Sequence, residues 1–401
     1  MRRVLILPCV ALLCLLGSCG GGNNGSSTPS TPTSKIKKRA LVSNQFKSQV
    51  EIVNAASDAV NLVLTSDASG NTVSTIANVI SAPSGPTLMA VTPDKKLTVV
   101  FARDSNTIDV ITNATETETA TIGLPDITES IVVSSDSTKV YAAVRNAPVS
   151  GQPSGAVEVV DLVNNNIAAS IPVPAVRRIA LSHNGNKILA FSDNTDQMWI
   201  VDTSARAAVA VAGFDRPTWG VFTTDDSKAY ILSCGPECGG TTAKVTIVDM
   251  GTNTPGASVG VSAATMGFMD GSNLYVAGTA ASGGRLDVVS VSSFTISKAA
   301  VPISDGFHDL MALASNNRLF IGAHACSNRA GGCLSIFNTS SQTAVLYGPN
   351  GDVTGMQPIE GRNVVYVIEG GELRIYDTTT DAPQPTQIDV VGKAFDVKTI
   401  D

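Results

Sequence analysis

Charged and aromatic residues are scarce in this chain of 401 residues, at 15% for Asp, Glu, Lys and Arg and 5% for Phe, Trp and Tyr. Long windows of Glu, Lys, Leu and Ala are also missing, which favours an all-β fold over a helical one. The formal net charge of −7, without any basic stripe, argues against nucleic acid as a partner. Gly, Ser, Thr, Asn, Val and Ala dominate instead, as in proteins of short strands and tight turns.

Catalytic signatures are missing as well. The chain has three histidines, His183, His308 and His324, and no Gly-x-Ser-x-Gly elbow, His-Glu-x-x-His motif or phosphate-binding glycine loop. His308 and Asp309 form an acid–base pair in sequence, but adjacent side chains of a strand point to opposite faces. The sequence therefore favours a protein without enzymatic activity and assigns no cofactor, with a metal ion in a central channel as the open alternative.

The first residues have the pattern of an exported lipoprotein. Two arginines precede an apolar run over residues 4–16, which is too short to span a bilayer comfortably. The run ends in Leu16-Gly17-Ser18-Cys19, which matches the lipobox of bacterial lipoproteins. We expect residues 1–18 to be a signal peptide and the acyl chains on Cys19 to be the only membrane contact. Gly20 rather than Asp follows, which implies the outer membrane or cell surface where two membranes exist. The alternative is an ordinary signal peptide with a chance cysteine.

A linker separates this segment from the rest of the chain. Residues 19–36 are rich in Gly, Ser, Thr and Pro and cannot bury apolar surface, so we expect a disordered tether. The folded domain is then residues 37–401.

Four cysteines remain after Cys19, and they fall into two close pairs. Cys234 lies near Cys238, and Cys326 lies near Cys333. An even number of cysteines in an exported protein predicts disulfides, each closing its own loop. A four-cysteine zinc site is the alternative, but the spacings are not those of zinc ligands, so no metal is assigned.

One sequence unit recurs about every 40 to 50 residues through the folded domain. Its landmark is an apolar strand that stops at a small polar residue, as in Val157-Glu158-Val159-Val160-Asp161. A strand opened by a polar residue precedes it, as in Lys139-Val140-Tyr141-Ala142. Four short strands per unit predict a single β-propeller of four-stranded blades. Each small sheet buries its two faces only against neighbours, and a ring leaves no sheet bare.

The number of units predicts how the ring closes. Complete units run from Leu88 to about Gly392, and they number seven by the landmarks. Three N-terminal strands over residues 38–80 and one strand over Phe395–Thr399 remain. Pairing them gives an eighth blade built from both chain ends, which would lock a monomeric ring. Seven blades are the alternative.

The Tyr-containing strand and the strand ending in Val-Asp resemble the repeats of YVTN-type β-propellers, a lactonase-like and quinoprotein-like superfamily related to WD40-like repeats. The resemblance covers residues 38–401 and implies the propeller fold. Some relatives are lactonases or quinone-dependent dehydrogenases, but their catalytic residues find no counterpart here. The Ser-Pro-Asp-Gly turn of the consensus occurs only in degraded forms, such as Ser135-Asp136-Ser137.

One face of the ring is the predicted binding face, because loops of variable length gather there. The loops between second and third strands open on it, and the long ones are Arg145–Ala156, Ser233–Thr242, Gly278–Gly284 and Ala323–Gly332. The residues that open the innermost strands should ring the channel mouth there: Thr87, Glu129, Arg177, Thr218, Thr265, Asp309 and Thr354, with His308 beside them. Such a ring could hold a small polar ligand or an ion, or only bond water and free strand ends.

The function these features favour is a binding or scaffold module outside the cytoplasm, with a protein, a glycan or an envelope component as partner. Two alternatives remain. One is a lactonase-like hydrolase or a quinone- or metal-dependent oxidoreductase that uses the channel. The other is a purely structural envelope protein without a discrete ligand.

Overall fold

The computed structural model describes residues 34–66, 69–326, 332–348 and 350–401. The first strands are β1 (Arg39–Asn44), β2 (Gln49–Asn54), β3 (Leu62–Ser66), β4 (Thr72–Ile76) and β5 (Val79–Ser81). Then come β6 (Pro86–Val91), β7 (Leu97–Ala102), β8 (Thr107–Thr112), β9 (Thr117–Gly123), β10 (Thr128–Val133), β11 (Lys139–Val144), β12 (Ala156–Asp161) and β13 (Asn166–Pro172). They are followed by β14 (Val176–Leu181), β15 (Lys187–Ser192), β16 (Gln197–Asp202), β17 (Ala207–Ala212), β18 (Pro217–Phe222), β19 (Lys228–Ser233), β20 (Lys244–Asp249) and β21 (Thr254–Gly260).

The remaining strands complete the chain. They are β22 (Met266–Met269), β23 (Asn273–Ala280), β24 (Gly283–Ser290), β25 (Thr295–Pro302), β26 (Phe307–Ala314), β27 (Arg318–His324), β28 (Leu334–Asn338) and β29 (Thr343–Tyr347). The last are β30 (Val353–Pro358), β31 (Val364–Glu369), β32 (Glu372–Asp377), β33 (Ala382–Pro383) and β34 (Ala394–Thr399). Short 3-10 turns at Gly235–Cys238 and Ser315–Asn317 are the only helical elements in the described ranges.

The strands form eight four-stranded antiparallel sheets, which are the blades of one propeller. Blades 1 to 7 take four consecutive strands each: β6–β9, β10–β13, β14–β17, β18–β21, β22–β25, β26–β29 and β30–β33. Blade 8 has the order β34-β1-β2-β5. The predicted all-β propeller with eight blades is therefore confirmed, and the alternative of seven blades is wrong.

The core lies between the blades rather than within them. One apolar cluster joins Val99 and Phe101 of blade 1 to Val140 and Ala142 of blade 2, and similar clusters join other neighbours. The second strands are covered from both sides, which is why β31 reads Val-Val-Tyr-Val-Ile and is buried throughout. A fully buried side chain of this kind contributes about 1.5–3 kcal/mol, and that gain is available only when an adjacent blade is present.

The two chain ends close the ring as predicted. β34 pairs antiparallel with β1, with Leu41 opposite Lys398 and Val42 opposite Val397. The Arg39 guanidinium holds this junction, because Nη2 lies 2.6 Å from Asp401 Oδ1. Its Nη1 lies 2.9 Å from Glu116 Oε1, a residue of the neighbouring blade 1. The link therefore joins both ends of the chain to a third segment.

Blade 8 contains a feature that the sequence did not predict. Its fourth strand is the short β5, while β3 and β4 pair only with each other as a separate two-stranded hairpin. This hairpin leaves the blade between β2 and β5 and exposes Leu62 and Leu64. The predicted set of three N-terminal blade strands is present, but an insertion interrupts it.

Both predicted disulfides are present. Cys234 bonds Cys238 and Cys326 bonds Cys333, each within one loop between a second and a third strand. Of the four loops expected on that face, 278–284 differs, because β23 and β24 continue to Ala280 and from Gly283 and form a tight hairpin.

The signal peptide, Cys19 and most of the tether lie outside the described residues. Its last residues, 34–36, touch the propeller, and the Ser34 amide donates to Glu116 Oε2 at 2.6 Å. Within the described ranges, no helix is both long and apolar enough to cross a membrane.

Candidate functional site

The innermost strands begin with an irregular backbone that aims their first side chains into the channel. In blades 3, 4, 6 and 7 one extra residue is inserted opposite the second strand, at Arg177, Thr218, Asp309 and Thr354. Blades 1, 2 and 8 shift register over two residues, at 87–88, 129–130 and 395–396. Bulges of this kind bend a strand and redirect its side chains.

Most of the innermost strands start before the predicted mouth residues. β14 begins at Val176, one residue before Arg177, and β10 begins at Thr128, one residue before Glu129. Most of the predicted mouth residues are thus part of the strands, at their bulges, whereas Thr265 precedes β22, which begins at Met266.

Most of the bulged residues converge on a cavity of about 520 Å³ on the loop-rich face, which we call the mouth cavity. Its charged lining consists of Arg103, Glu129, Arg177, Arg178, Asp309, His324 and Asp352. Its apolar lining includes Leu88, Phe101, Ile127, Leu310, Val353 and Phe395, with Trp219 beside them. A volume of this size is typical of small-molecule sites.

The structure brings five of the predicted residues to the mouth cavity: Thr87, Glu129, Arg177, Asp309 and Thr354. Thr218 lies on a smaller adjoining pocket, and its hydroxyl donates to the Ala264 carbonyl at 3.3 Å. Thr265 is buried and its hydroxyl donates to the Ala277 carbonyl at 3.4 Å. These two residues serve the backbone rather than the cavity.

His308 also lies away from the cavity, because its neighbour Asp309 takes the inward position. Its imidazole is fully buried, with Nε2 2.9 Å from the Ser304 carbonyl oxygen. Burial lowers the pKa of His308 to about 4, so the ring is neutral at physiological pH. Its contact belongs to the connection between blades 5 and 6.

An ion-pair network forms part of the cavity rim. Arg177 bonds Glu129, and its Nη1 lies 3.3 Å from Asp193 Oδ1. Arg145, in the long loop of blade 2, lies 3.3 Å from Asp193 as well. These side chains are between a quarter and a half exposed, so the pairs position the rim more than they stabilise the fold.

A second charged group lies deeper in the wall. Arg178 is only 17% exposed, and its Nη2 lies 3.7 Å from Asp309 Oδ2. The same oxygen lies 3.1 Å from His324 Nδ1. The guanidinium stacks 4.8 Å over the Phe307 ring, which also contacts the His324 ring. The Asp309 carboxylate raises the pKa of His324, while burial lowers the pKa of Arg178.

Sequence reasoning missed His324 as part of this group. A usable signal existed, because His324 ends a second strand, and second strands end on the face where innermost strands begin. Arg103 and Asp352 were missed for the same reason, since each flanks a strand at that face.

Two buried polar atoms of the cavity wall lack a partner within the described chain. They are Asp309 Oδ1 and Thr354 Oγ1, on the innermost strands of adjacent blades 6 and 7. Buried polar atoms are nearly always hydrogen-bonded in folded proteins. The cavity wall therefore contains an acceptor and a hydroxyl whose hydrogen-bonding capacity is not used within the described chain. The described residues contain no cluster of side chains suited to hold a metal ion.

Comparisons with known proteins identify the fold but not the function. No family model matches the sequence, and no curated protein matches it. Dihydro-heme d1 dehydrogenase NirN in complex with DHE is similar in structure, with a TM-score of 0.68 and 12% identity over 94% of this chain and 78% of that chain. The Cps50 (Swd1) β-propeller domain of Myceliophteria thermophila gives 0.52 and 14% over 71% and 92%. At such low sequence identities, the structural similarity shows a shared propeller fold and nothing about function.

Proposed function

We propose that this protein is a ligand-binding module that takes its partner at the mouth cavity and on the loops around it. The observation that carries the proposal is the convergence of bulged residues from several blades on one cavity with free hydrogen-bonding atoms. A bulge disturbs the pairing of a strand, and bulges gather where side chains must be redirected. Their repetition around one end of the channel supports a site rather than a packing solution.

The setting of the module is also part of this proposal. We infer that Cys19 carries a lipid anchor and that the partner is a protein or a polysaccharide of the cell envelope. The lipobox-like sequence and the two disulfides support an extracytoplasmic location, because disulfides persist in oxidising compartments.

Binding explains the mouth cavity better than catalysis does. His324 and Asp309 form an imidazole–carboxylate pair, but no Ser, Cys or Thr nucleophile among the described residues is bonded to that imidazole. Thr354, which lines the same cavity, has a hydroxyl without a hydrogen-bond partner. Nucleophilic catalysis needs a base within hydrogen-bond reach of the attacking group.

The test compares which envelope components bind a variant of the mouth cavity and which bind a control variant of the opposite face. The full chain is immobilised in detergent and incubated with envelope extract, and bound proteins and carbohydrates are identified by mass spectrometry. The mouth variant combines Arg103→Ala with Glu129→Ala, two exposed cavity residues. The matched control combines Lys96→Ala with Glu360→Ala, which removes the same charges from exposed turns on the opposite face.

We expect one component to bind wild type and control and to be lost from the mouth variant. Identical retention by all three proteins would refute a binding site at the mouth and would favour a purely structural role.

A second candidate is an oxidoreductase with a haem-type group in the mouth cavity. It is supported by the fold shared with NirN, which was solved in complex with DHE, and by His324. The carboxylate of Asp309 lies on Nδ1 of His324, an arrangement that orients an imidazole toward a metal through Nε2. Arg103 and Arg178 could pair with acidic substituents of such a group, and the group itself would supply the redox chemistry.

The spectrum of the protein tests this candidate directly. The full chain is mixed with haem, and binding is followed by the visible absorption band of the iron–imidazole complex. We expect a saturable spectral change that His324→Ala abolishes and the distant His183→Ala does not. A spectrum identical to that of haem in buffer would reject the candidate.

A further inference from the structure

The arginines and carboxylates of the mouth cavity are equal in number. Its lining contains three arginines, Arg103, Arg177 and Arg178, three carboxylates, Glu129, Asp309 and Asp352, and His324, whose imidazole pairs with Asp309. Two of the arginines are already paired, Arg177 with Glu129 and Arg178 with Asp309. A ligand with a net charge would add an unmatched charge beside Arg178 and Asp309, the least exposed of these side chains, where solvent screens charges least. The lining therefore selects a ligand without net charge.

The unpartnered atoms of the cavity wall, Asp309 Oδ1 and Thr354 Oγ1, favour a ligand with groups like hydroxyls. Asp309 Oδ1 can only accept a hydrogen bond, whereas Thr354 Oγ1 can donate or accept. Arg178 contacts the Thr265 carbonyl at 3.5 Å and Asp309 at 3.7 Å, which are long contacts. A guanidinium has five N–H donors, so Arg178 has donors left for ligand oxygens. An uncharged ligand group that both donates and accepts hydrogen bonds, such as a hydroxyl, can bond Asp309, Thr354 and Arg178.

The rest of the wall is apolar. Leu88, Ile127, Leu310, Val353 and Phe395 come from five different blades and line the same cavity. Trp219 lies beside them with its ring held, because Nε1 donates to the Gly267 carbonyl at 3.1 Å. Ligands that fit such a lining carry C–H faces as well as hydroxyl edges.

We propose that the mouth cavity binds a neutral sugar, as a free ring or as one unit of a neutral glycan. This rests on the proposed function and names the class of its ligand. A pyranose without charged substituents has hydroxyls at its edge for Asp309, Thr354 and Arg178. Its C–H faces suit the apolar wall, and it leaves the charge balance intact.

The test is a titration of the full chain with matched sugars, followed by calorimetry and saturation-transfer NMR. The probes are glucose and galactose, their uronic acids and their 2-amino derivatives, so that ring shape stays constant while the charge changes. We expect a neutral ring to bind about ten-fold more tightly than its charged derivatives, which corresponds to about 1.4 kcal/mol for the unmatched charge.

Two variants localise the binding. Thr354→Val keeps the shape and removes one hydroxyl, and about five-fold weaker binding is expected for one lost neutral hydrogen bond. Asp309→Asn should weaken binding more than ten-fold, because its hydrogen bond is charge-assisted. Thr218→Val is the matched control, another bulged threonine whose hydroxyl bonds the backbone outside this cavity, and its affinity should equal that of wild type.

Tighter binding of a charged derivative, or no saturable binding of either neutral sugar, would overturn the sugar assignment. Equal losses in Thr354→Val and Thr218→Val would overturn it too, because the effect would then be structural. Any of these results, together with an envelope component whose retention depends on the mouth, would leave the binding module standing with a ligand of another class.

Discussion

Replacing Asp109 by Asn should change how the stability of this protein depends on pH. Asp109 lies in β8 of blade 1, is fully buried, and has no hydrogen-bond partner for either carboxylate oxygen within the described chain. Burial and the charge of Glu118 raise the pKa of Asp109 to about 7, and the nearby Thr107 and Thr121 offset only part of this. The carboxyl group therefore prefers the protonated form in the folded protein.

The sign of the effect follows from the two states. The folded pKa lies above the unfolded value of about 3.9, so the folded protein holds the proton more tightly. The stabilisation is fully present below about pH 4 and is lost as pH rises to about 7. A difference of about three pKa units corresponds to about 4 kcal/mol, and water entering the blade would reduce the value.

The assay is urea unfolding of wild type and Asp109→Asn at pH 4.5 and at pH 8, followed by tryptophan fluorescence. Between these conditions the variant should gain about 2–4 kcal/mol relative to wild type. Any cost of burying the amide is independent of pH and cancels in this comparison. Asp225→Asn is the control, because Asp225 is exposed and hydrogen bonds hold its pKa at about 2, below the tested range. Equal pH slopes for wild type and Asp109→Asn would refute the reasoning.

Three further changes are expected to have measurable effects. Arg39→Met should lower stability by about 2–4 kcal/mol, because Glu116, whose side chain is only 7% exposed, and Asp401 would both lose their ion-pair partner, and thermal unfolding would detect it. Replacing Cys326 and Cys333 by serine should cost about 2 kcal/mol in urea unfolding without changing the blade count. Because the pKa of His308 is depressed to about 4, stability should fall as pH drops from 6.5 toward 4, and His308→Gln should remove that part of the slope.

The blades and their closure could be predicted from sequence because second strands are covered on both sides. A segment such as Val364–Glu369 is apolar at its first five positions, and similar apolar runs repeat along the chain. The closing strand could be predicted for a similar reason. No other blade strands stand next to β34 at the C-terminal end of the chain to complete a blade, and β34 pairs with β1 instead. Strands that are buried between adjacent blades therefore appear in the sequence as apolar segments at regular intervals.

The bulges left no such mark. Neighbouring side chains of a regular strand point to opposite faces, so Arg177 and Arg178 could not both be assigned to the channel from sequence. The extra residue in β14 breaks that alternation, and both arginines line the mouth cavity. An inserted residue changes neither composition nor polarity, which explains why the geometry of the site emerged only with the backbone.

The hairpin β3–β4 was hidden for a related reason. Leu62–Ser66 reads Leu-Val-Leu-Thr-Ser, which is compatible with a blade strand, and no local feature shows that the three residues of β5 pair with β2 instead. Pairing between segments separated by an insertion depends on competition between strands rather than on the residues of either one.

The join between β1 and β34 has a practical consequence. Arg39 and Thr399, where the two strands meet, lie at the end of blade 8 remote from Ala394, and the mouth opens where innermost strands such as β34 begin. A tag, a sensor surface or a fused domain attached after Asp401 therefore lies at the back of the ring. The protein can be immobilised through its C-terminus while the mouth cavity faces the solution.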